Sequence, residues 1–257
     1  MQPEIMPSPA AARLCVRVVG PGRLGRTVWQ SLQRAGVEAE LWDRRGPRSA
    51  PCGPPTVAYL TVPDREIAAA AAAHADVPVL LHASGACDLT ALAPHPCPGS
   101  LHPLMSFPGP ELACPTGQVP AAVAGEGLAA VSAVHLAHAL GWTPFPMNGD
   151  RRLYHAAAVV AGNFSAALLY AGAALLESAG VPAEQSRDLL LPLVRAGLDN
   201  AAAAPPHQAL TGPVTRGDEA VLEAHRAAIA AALPALSPAY AGLVAWTRAT
   251  LARGREQ

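Results

Sequence analysis

The chain has 257 residues, of which 51% are hydrophobic and 14% charged, and its formal net charge is -1. This length allows one large or two modest domains with a substantial buried core. Since there is neither a basic excess nor an acidic tract, the composition argues against nucleic-acid binding and against a charged disordered tail.

The cysteines and the N-terminus bear on the cellular compartment. The five cysteines, an odd number without a CxxC pair, predict neither a disulfide framework nor a thiolate zinc site. Residues 1–13 lack a basic start followed by an apolar run, so they predict a flexible tail rather than a signal peptide. We therefore expect a cytoplasmic protein.

Residues 156–176 carry no charge and approach the length of a membrane span. Much of this segment is alanine and glycine, and Asn163 and Ser165 interrupt it. An apolar helix enclosed by other helices shows the same composition, and we expect that arrangement rather than membrane insertion.

The first part of the chain alternates predicted strands and helices. Strands are predicted at 14–19, 37–42, 57–62, 77–82 and 120–124, and helices at 25–35, at 67–75 and from the last strand through Leu140. The stretch 95–120 is dense in proline and glycine, so we expect it to be largely loop. Alternating strands and helices predict an α/β fold with a parallel sheet, typical of a Rossmann domain.

The pattern changes near residue 148. Helices are predicted at 151–179, 183–203, 218–232 and 237–253, and strand signals end. We therefore predict a Rossmann dinucleotide-binding domain at 14–148 and an all-helical domain at 149–257.

Residues 20–25 read GPGRLG, a G-x-G-x-x-G sequence between the first strand and the first helix. Gly20 would permit the tight turn, Gly22 the approach of a pyrophosphate, and Gly25 the packing of helix on strand. The helix N-terminus would attract the phosphates. The predicted cofactor contacts are Gly20, Gly22, Arg23, Leu24 and Gly25, with Val62 and Pro63 after the third strand; the alternative is a glycine turn without a ligand.

Two kinds of charge follow the second predicted strand. Asp43 could accept a hydrogen bond from the ribose 2′-hydroxyl of NAD. Arg44 and Arg45 suit the 2′-phosphate of NADP, unless they only form a solvated turn. The sequence favours NADP, with NAD possible.

His102 is the best candidate for proton transfer. Hydride transfer to a carbonyl or imine requires a proton donor, and histidine suits this role. His102 follows the predicted Rossmann strands at a proline-fixed turn, the edge where such sheets bind ligands; otherwise it caps a loop. Ser84 and Gly85 end the fourth strand, where His82 should also face the cleft. Ser84 would bind a substrate oxygen unless it only forms a helix N-cap or turn.

Further candidates lie toward the C-terminus. Asn163 would contact substrate or form a helix–helix hydrogen bond. Arg216 would hold a substrate carboxylate or phosphate, unless it is only a neighbour of an N-capping Asp218. The spacing of the histidines and cysteines between residues 82 and 102 matches no zinc pattern, so we expect no metal.

Together these stretches resemble a family of Rossmann-like proteins with a C-terminal helical domain of unknown function, within the 6-phosphogluconate dehydrogenase-like superfamily. The matching segments are GPGRLG, LTVPD, LHASGA, SLHPLMSF, YHAAAVVAGNF and LTGPVTRGD. The resemblance implies a nicotinamide domain, a helical domain that dimerises, and an active site between them. It also implies a catalytic His102, as in prephenate and 3-hydroxyacyl-CoA dehydrogenases, and a functional Asn163.

The chain departs from hydroxyacid dehydrogenases and ketopantoate reductases at their catalytic lysine. Val159 stands where that lysine lies one turn before Asn163, and the chain contains no lysine. The acid must then be His102 or His155. We predict an NAD(P)-dependent oxidoreductase acting on a small polar molecule; the alternatives are a dinucleotide-binding sensor or scaffold, and a helical dimer with a vestigial cofactor site.

Overall fold

The protein is described by a computed structural model that covers residues 14–50, 53–108 and 119–254. These residues form two compact units, one ending at Gly162 and the other beginning at Asn163. The predicted tail at residues 1–13 lies outside the described residues. The domain boundary near residue 148 stays a prediction.

A mixed sheet forms the centre of the first unit. Its strands are β1 (Cys15–Val19), β2 (Glu38–Asp43), β3 (Gly46–Pro47), β4 (Val57–Leu60), β5 (Val79–His82), β6 (Pro98–Pro103), β7 (Val119–Gly125) and β8 (Trp142–Pro146). Their order is β3-β2-β1-β4-β5-β6-β7-β8. Strands β2, β1, β4, β5 and β6 run parallel, as predicted for a Rossmann domain. The prediction of a parallel sheet was wrong where β3 pairs with β2 and β7 with β6, because both pairs are antiparallel.

Two of these strands lie in proline-rich sequence. The prediction of loop at 95–120 was wrong at β6, which begins at Pro98 and ends at Pro103. Strand β8, which was not predicted, lies at one edge of the sheet and contains two prolines. Proline is tolerated at strand ends and on edge strands, where no partner needs its missing N–H. Residues 109–118 lie outside the described part of the chain.

Helices cover both faces of the sheet. Helices α1 (Arg23–Arg34) and α3 (Gly127–Ala139) contribute to one buried cluster, and α2 (Ile67–Ala73) contributes to another. The residues of β4 alternate between them: Val57 and Tyr59 join the first cluster, and Ala58 and Leu60 the second. Burial on both faces explains why the central strands are continuous apolar runs.

Helices account for nearly all regular structure after Asp150. They are α4 (Arg151–Ala158), α5 (Phe164–Ser178), α6 (Ala183–Ala203), α7 (Pro206–Ala209), α8 (Pro213–Arg216), α9 (Glu219–Ala232) and α10 (Ser237–Arg253). A π-helical turn, Val159–Asn163, joins α4 to α5. The four long predicted helices are confirmed. The fold class, a Rossmann-like sheet followed by a helical region, is also confirmed.

The helix formed by α4, the π turn and α5 is long and apolar enough to cross a membrane, judged by length and composition alone. Only 6% of its most apolar window is buried. Few of its residues are therefore fully buried within the single chain. A single helix of this kind is weak evidence for a membrane protein, because packed helices of other proteins have the same composition.

The described cysteines differ in oxidation state. Cys15 is disulfide-bonded, which the count and spacing of the cysteines did not predict. Cys87 and Cys97 are free thiols.

Candidate functional site

A cavity of about 1130 Å³ lies at the C-terminal ends of β1, β2 and β4. Since β1 has β2 on one side and β4 on the other, the strand order reverses here, and dinucleotides bind open α/β sheets at such a reversal. Residues at the ends of β1 and β2, in the segments that follow β1, β2 and β4, and in or next to α2 line the cavity. They are Val19, Gly20, Pro21, Gly22, Trp42, Asp43, Arg44, Arg45, Gly46, Arg48, Thr61, Val62, Pro63, Arg65, Glu66, Ala69, Ala70, Ala73 and His74.

Each glycine of the G-x-G-x-x-G turn has a distinct steric reason. Gly20 has a φ of 106°, which other residues rarely adopt. A Cβ at Gly22 would meet no atom within 4 Å, so the backbone there is open to a ligand. A Cβ at Gly25 would lie 1.9 Å from the carbonyl oxygen of Gly20, so only glycine lets α1 start this close to β1. Arg23 and Leu24 form the first turn of α1.

The charged side chains of the cavity leave a positive excess. Asp43 accepts hydrogen bonds from the Arg48 side chain and from the backbone N–H of Arg45, which lower the pKa of its carboxyl. Arg44 pairs with Glu66 at 2.5 Å. Both carboxylates that line the cavity are thus engaged, whereas Arg45 forms no ion pair among the described residues.

A second group of polar side chains lies at the ends of β5 and β6. His102 is on β6, and its Nδ1 lies 2.7 Å from the Tyr154 hydroxyl oxygen. The His155 ring stands edge-on to His102, with 6.2 Å between ring centroids. The structure therefore brings together His102 and His155, both predicted from sequence, and adds Tyr154.

Helix α4 supplies three members of this group from one face. Asp150 caps the helix by accepting the N–H of Arg152. Arg151, Tyr154 and His155 follow at spacings of three and four residues, which place side chains on one helical face. The sequence analysis missed Arg151. Its spacing to Tyr154 and His155 was the available signal.

Gly85 is adjacent to both imidazoles. A Cβ at this position would lie 2.8 Å from His102 Nε2 and 2.8 Å from His155 Cδ2. Any other residue would therefore displace one of these rings. The glycine of the LHASGA segment is thus explained by the close approach of two histidines to the backbone.

His82 and Ser84 are located differently from the prediction. His82 is fully buried, so the expectation that it faces a cleft was wrong. The Ser84 hydroxyl accepts hydrogen bonds from the N–H groups of Ala86 and Cys87, which is the turn considered as the alternative. The carbonyl oxygen of Ser84 accepts a hydrogen bond from Arg151 at 2.5 Å.

Burial controls the protonation of this group. Burial, with smaller contributions from His155 and Arg151, lowers the pKa of His102 to about 4. Burial and the charge of Arg151 lower the pKa of His82 to about 4. Burial raises the pKa of Tyr154. Both histidines and the tyrosine are therefore uncharged at neutral pH.

The depressed histidine pKa values predict that acid destabilises the fold. Between pH 6.5 and about 4, the unfolded chain binds protons that the folded His82 and His102 do not, so the free energy of unfolding falls as pH falls. In His82→Asn, the amide oxygen can still accept the Ser84 N–H. We expect the slope of unfolding free energy against pH to decrease by roughly 1 kcal/mol per pH unit near pH 5.5. Urea titrations at several pH values measure this slope, and an unchanged slope contradicts the prediction.

Two predicted site residues belong to the second unit. Asn163 ends the π-helical turn, and its side chain is exposed. Arg216 donates to Asp218 at 2.8 Å, as in the alternative where the two are merely neighbours. Their roles at a substrate stay predictions.

Among the residues that the structure describes, no group of three or more histidine, cysteine or acidic side chains is arranged to hold a metal ion.

Several solved structures share this fold. A candidate NADP oxidoreductase from Bacteroides fragilis has a TM-score of 0.76 and 20% identity, over 91% of this chain and 98% of that one. A protein from Thermotoga maritima has a TM-score of 0.68 and 24% identity, over 93% and 99%. A reductive aminase from Aspergillus terreus, in complex with NADPH and ethyl levulinate, has a TM-score of 0.62 and 16% identity, over 91% and 93%. At these identities, the likeness establishes the fold alone. No curated protein matches the chain in sequence.

The fold and the glycine turn define a protein with Rossmann-like N-terminal strands and a helical C-terminal region. The family model described as Domain of unknown function (DUF2520) matches residues 119–247, half of the chain. The chain therefore belongs to the DUF2520 family.

Proposed function

We propose that the protein is an NADP-dependent oxidoreductase acting on a small polar carbonyl or imine compound, within the 6-phosphogluconate dehydrogenase-like superfamily. The observation that carries the proposal is a glycine turn open to a dinucleotide in the same unit as the hydrogen-bonded pair His102–Tyr154. The cavity lies at the C-terminal end of β4, His102 lies on β6, and β5 separates the two strands in the sheet.

The residues of the cavity fit NADP. Gly20 and Gly22 would hold the pyrophosphate on their backbone, at the N-terminus of α1. The bonds to Asp43 leave its carboxylate poorly placed to accept a ribose hydroxyl, which argues against NAD. Arg45 and Arg65 supply the positive charge that suits a 2′-phosphate. The reductive aminase bound to NADPH and a pyrroline carboxylate reductase from Plasmodium falciparum with NADP bound support the same choice.

NADPH, when bound, supplies a hydride, and the protein must supply a proton to the oxygen or nitrogen of the substrate. When Tyr154 donates its hydroxyl hydrogen to His102 Nδ1, the ring proton resides on Nε2. During reduction, the Nε2 proton moves to the substrate while the tyrosine proton moves to Nδ1, and solvent then restores the tyrosine. His155 lies beside this pair and supports substrate binding.

Titration with NADPH and NADH, followed by their fluorescence, tests the cofactor. We expect NADPH to bind at micromolar concentrations, about 10-fold or more tighter than NADH. Oxidation of bound NADPH is then measured with panels of ketones, keto acids and imines. NADPH binding without turnover would favour the sensor or scaffold, and no binding of either nucleotide would contradict both functions.

We also propose that the protein forms a homodimer through its C-terminal helices. Phe164 and Leu168 are exposed one turn apart on α5, as are Leu189 and Leu193 on α6, where Leu193 is 69% exposed. Apolar surface of this kind marks an interaction site, and a second copy presents a matching surface.

We expect light scattering to give the mass of a dimer for the parent protein. Leu193→Glu should yield a monomer, because a buried carboxylate in the interface would have no partner. Gln185→Glu, on the exposed part of the same helix, is the control. A monomeric parent, or a dimeric Leu193→Glu, contradicts the proposed dimer interface.

A further inference from the structure

The guanidinium of Arg151 lies inside the first unit, since the residue is 6% exposed. Its terminal nitrogens donate to two neutral acceptors, the Ser100 hydroxyl at 3.0 Å and the Ser84 carbonyl oxygen at 2.5 Å. Its Nε is buried without a hydrogen-bond partner. No acidic side chain forms an ion pair with Arg151 among the described residues. The charge is therefore enclosed with no counter-charge in contact.

An enclosed charge without a counter-charge is costly to a folded protein. Burial accordingly lowers the pKa of Arg151, against smaller opposing effects of Tyr154 and Asp88. A neutral side chain such as glutamine could donate hydrogen bonds to Ser84 and Ser100 at a lower desolvation cost. The full charge of Arg151 is therefore explained best by an anionic partner that the described chain does not supply.

The surroundings of Arg151 indicate where that partner reacts. Tyr154 follows on the same helical face and contacts His102 Nδ1 at 2.7 Å. His82 Nε2 is a second buried nitrogen without a partner, and the Ser84 N–H occupies the other nitrogen of that ring. Ser84 thus links Arg151 to His82 through its own backbone. The Nε of Arg151, buried without a partner on the same helix as Tyr154 of the candidate proton-transfer pair, indicates a polar group of a ligand.

We propose that Arg151 recognises a carboxylate of the substrate, so that the substrates are keto acids or imino acids rather than uncharged ketones and imines. This inference rests on the proposed oxidoreductase function. A guanidinium presents parallel N–H donors that match a carboxylate, and enclosure strengthens that interaction. The substrate charge would compensate Arg151 only in the complex, which gives selectivity against uncharged analogues.

The first test uses the parent protein loaded with NADPH. The probes are pyruvate, 2-oxobutanoate, 2-oxopentanoate and 2-oxoglutarate, each compared with its methyl ester, and binding is followed by NADPH fluorescence. We expect at least one acid to bind about 30-fold or more tighter than its ester. Equal affinities of acids and esters, or no binding of any acid, overturn the inference.

The second test uses matched variants. Arg151→Gln should weaken acid binding by about 100-fold and leave ester and NADPH binding unchanged, and Arg151→Lys should restore acid binding only in part. Arg152→Gln is the control, because Arg152 is the exposed neighbour paired with Asp150. Unchanged acid binding by Arg151→Gln overturns the inference. If that variant does not fold, the acid–ester comparison on the parent decides.

The two proposals fail in different ways. If NADPH binds and uncharged ketones are reduced as well as keto acids, the oxidoreductase function stands and the role of Arg151 fails. If NADPH does not bind, the proposed oxidoreductase function is contradicted, and carboxylate binding by Arg151 is tested in the absence of nucleotide. In that case an acid, and not its ester, should raise the melting temperature of the parent but not of Arg151→Gln.

Discussion

Replacing His102 by alanine is expected to lower the rate of NADPH oxidation by a carbonyl or imine substrate by about 10²- to 10⁴-fold, the usual contribution of a general acid. The variant should bind NADPH within about twofold of the parent, because His102 does not line the cofactor cavity. Single-turnover kinetics on the NADPH-loaded protein separate the two effects. His135→Ala, an exposed histidine of α3, is the matched control.

Tyr154→Phe tests the pairing of His102 with its hydroxyl partner. The variant keeps the ring and its edge-on contact with His102 but removes the hydrogen bond to Nδ1. We expect a smaller loss of turnover, about 10- to 100-fold, because the imidazole remains while its proton position is no longer fixed. Parental rates in both Tyr154→Phe and His102→Ala would refute the assignment of the pair.

The pH dependence of reduction tests whether the neutral ring of His102 is the acid. Because burial holds the pKa of His102 at about 4, the protonated ring is a small fraction at neutral pH. The proposed proton transfer starts from the neutral ring, so the rate of reduction should stay nearly constant between pH 7 and 5.5. A rate that rises by roughly tenfold per pH unit over this range would instead assign the acid to the protonated ring.

Removing the arginines of the cofactor cavity is expected to change nucleotide choice. In Arg45→Ala combined with Arg65→Ala, we expect NADPH binding to weaken by about 10- to 100-fold and NADH binding to stay within about twofold. The reason is that only NADPH carries the 2′-phosphate that these side chains would contact. Fluorescence titration of both nucleotides against the variant measures the change.

A control variant and the salt dependence of binding test whether this effect comes from the 2′-phosphate. Arg34→Ala removes an exposed arginine at the end of α1 and should leave both affinities unchanged. The preference of the parent for NADPH should shrink as salt rises, since exposed charges are screened. Equal loss of NADPH and NADH in the double variant would assign the arginines to the pyrophosphate or to the fold instead of to the 2′-phosphate.

The sequence alone determined the elements whose signals are local. The G-x-G-x-x-G turn, the buried strands β1, β4 and β5, and the long helices after Asp150 follow from glycine stereochemistry and from apolar periodicity, which act over a few residues. Strands β6 and β8 could not be predicted in this way, because their prolines signal loop unless the positions at a strand end or sheet edge are known.

Only the tertiary structure decided which side chains meet and which are enclosed. His102 and Tyr154 are distant in sequence, and their contact depends on how β6 and α4 lie in the first unit. Whether Asp43 is available to a ribose depends on its bonds to Arg45 and Arg48, and the importance of Arg151 depends on its burial without a counter-charge. Composition and spacing record which groups exist, but burial and ion pairing arise between distant segments, and these set protonation and ligand preference.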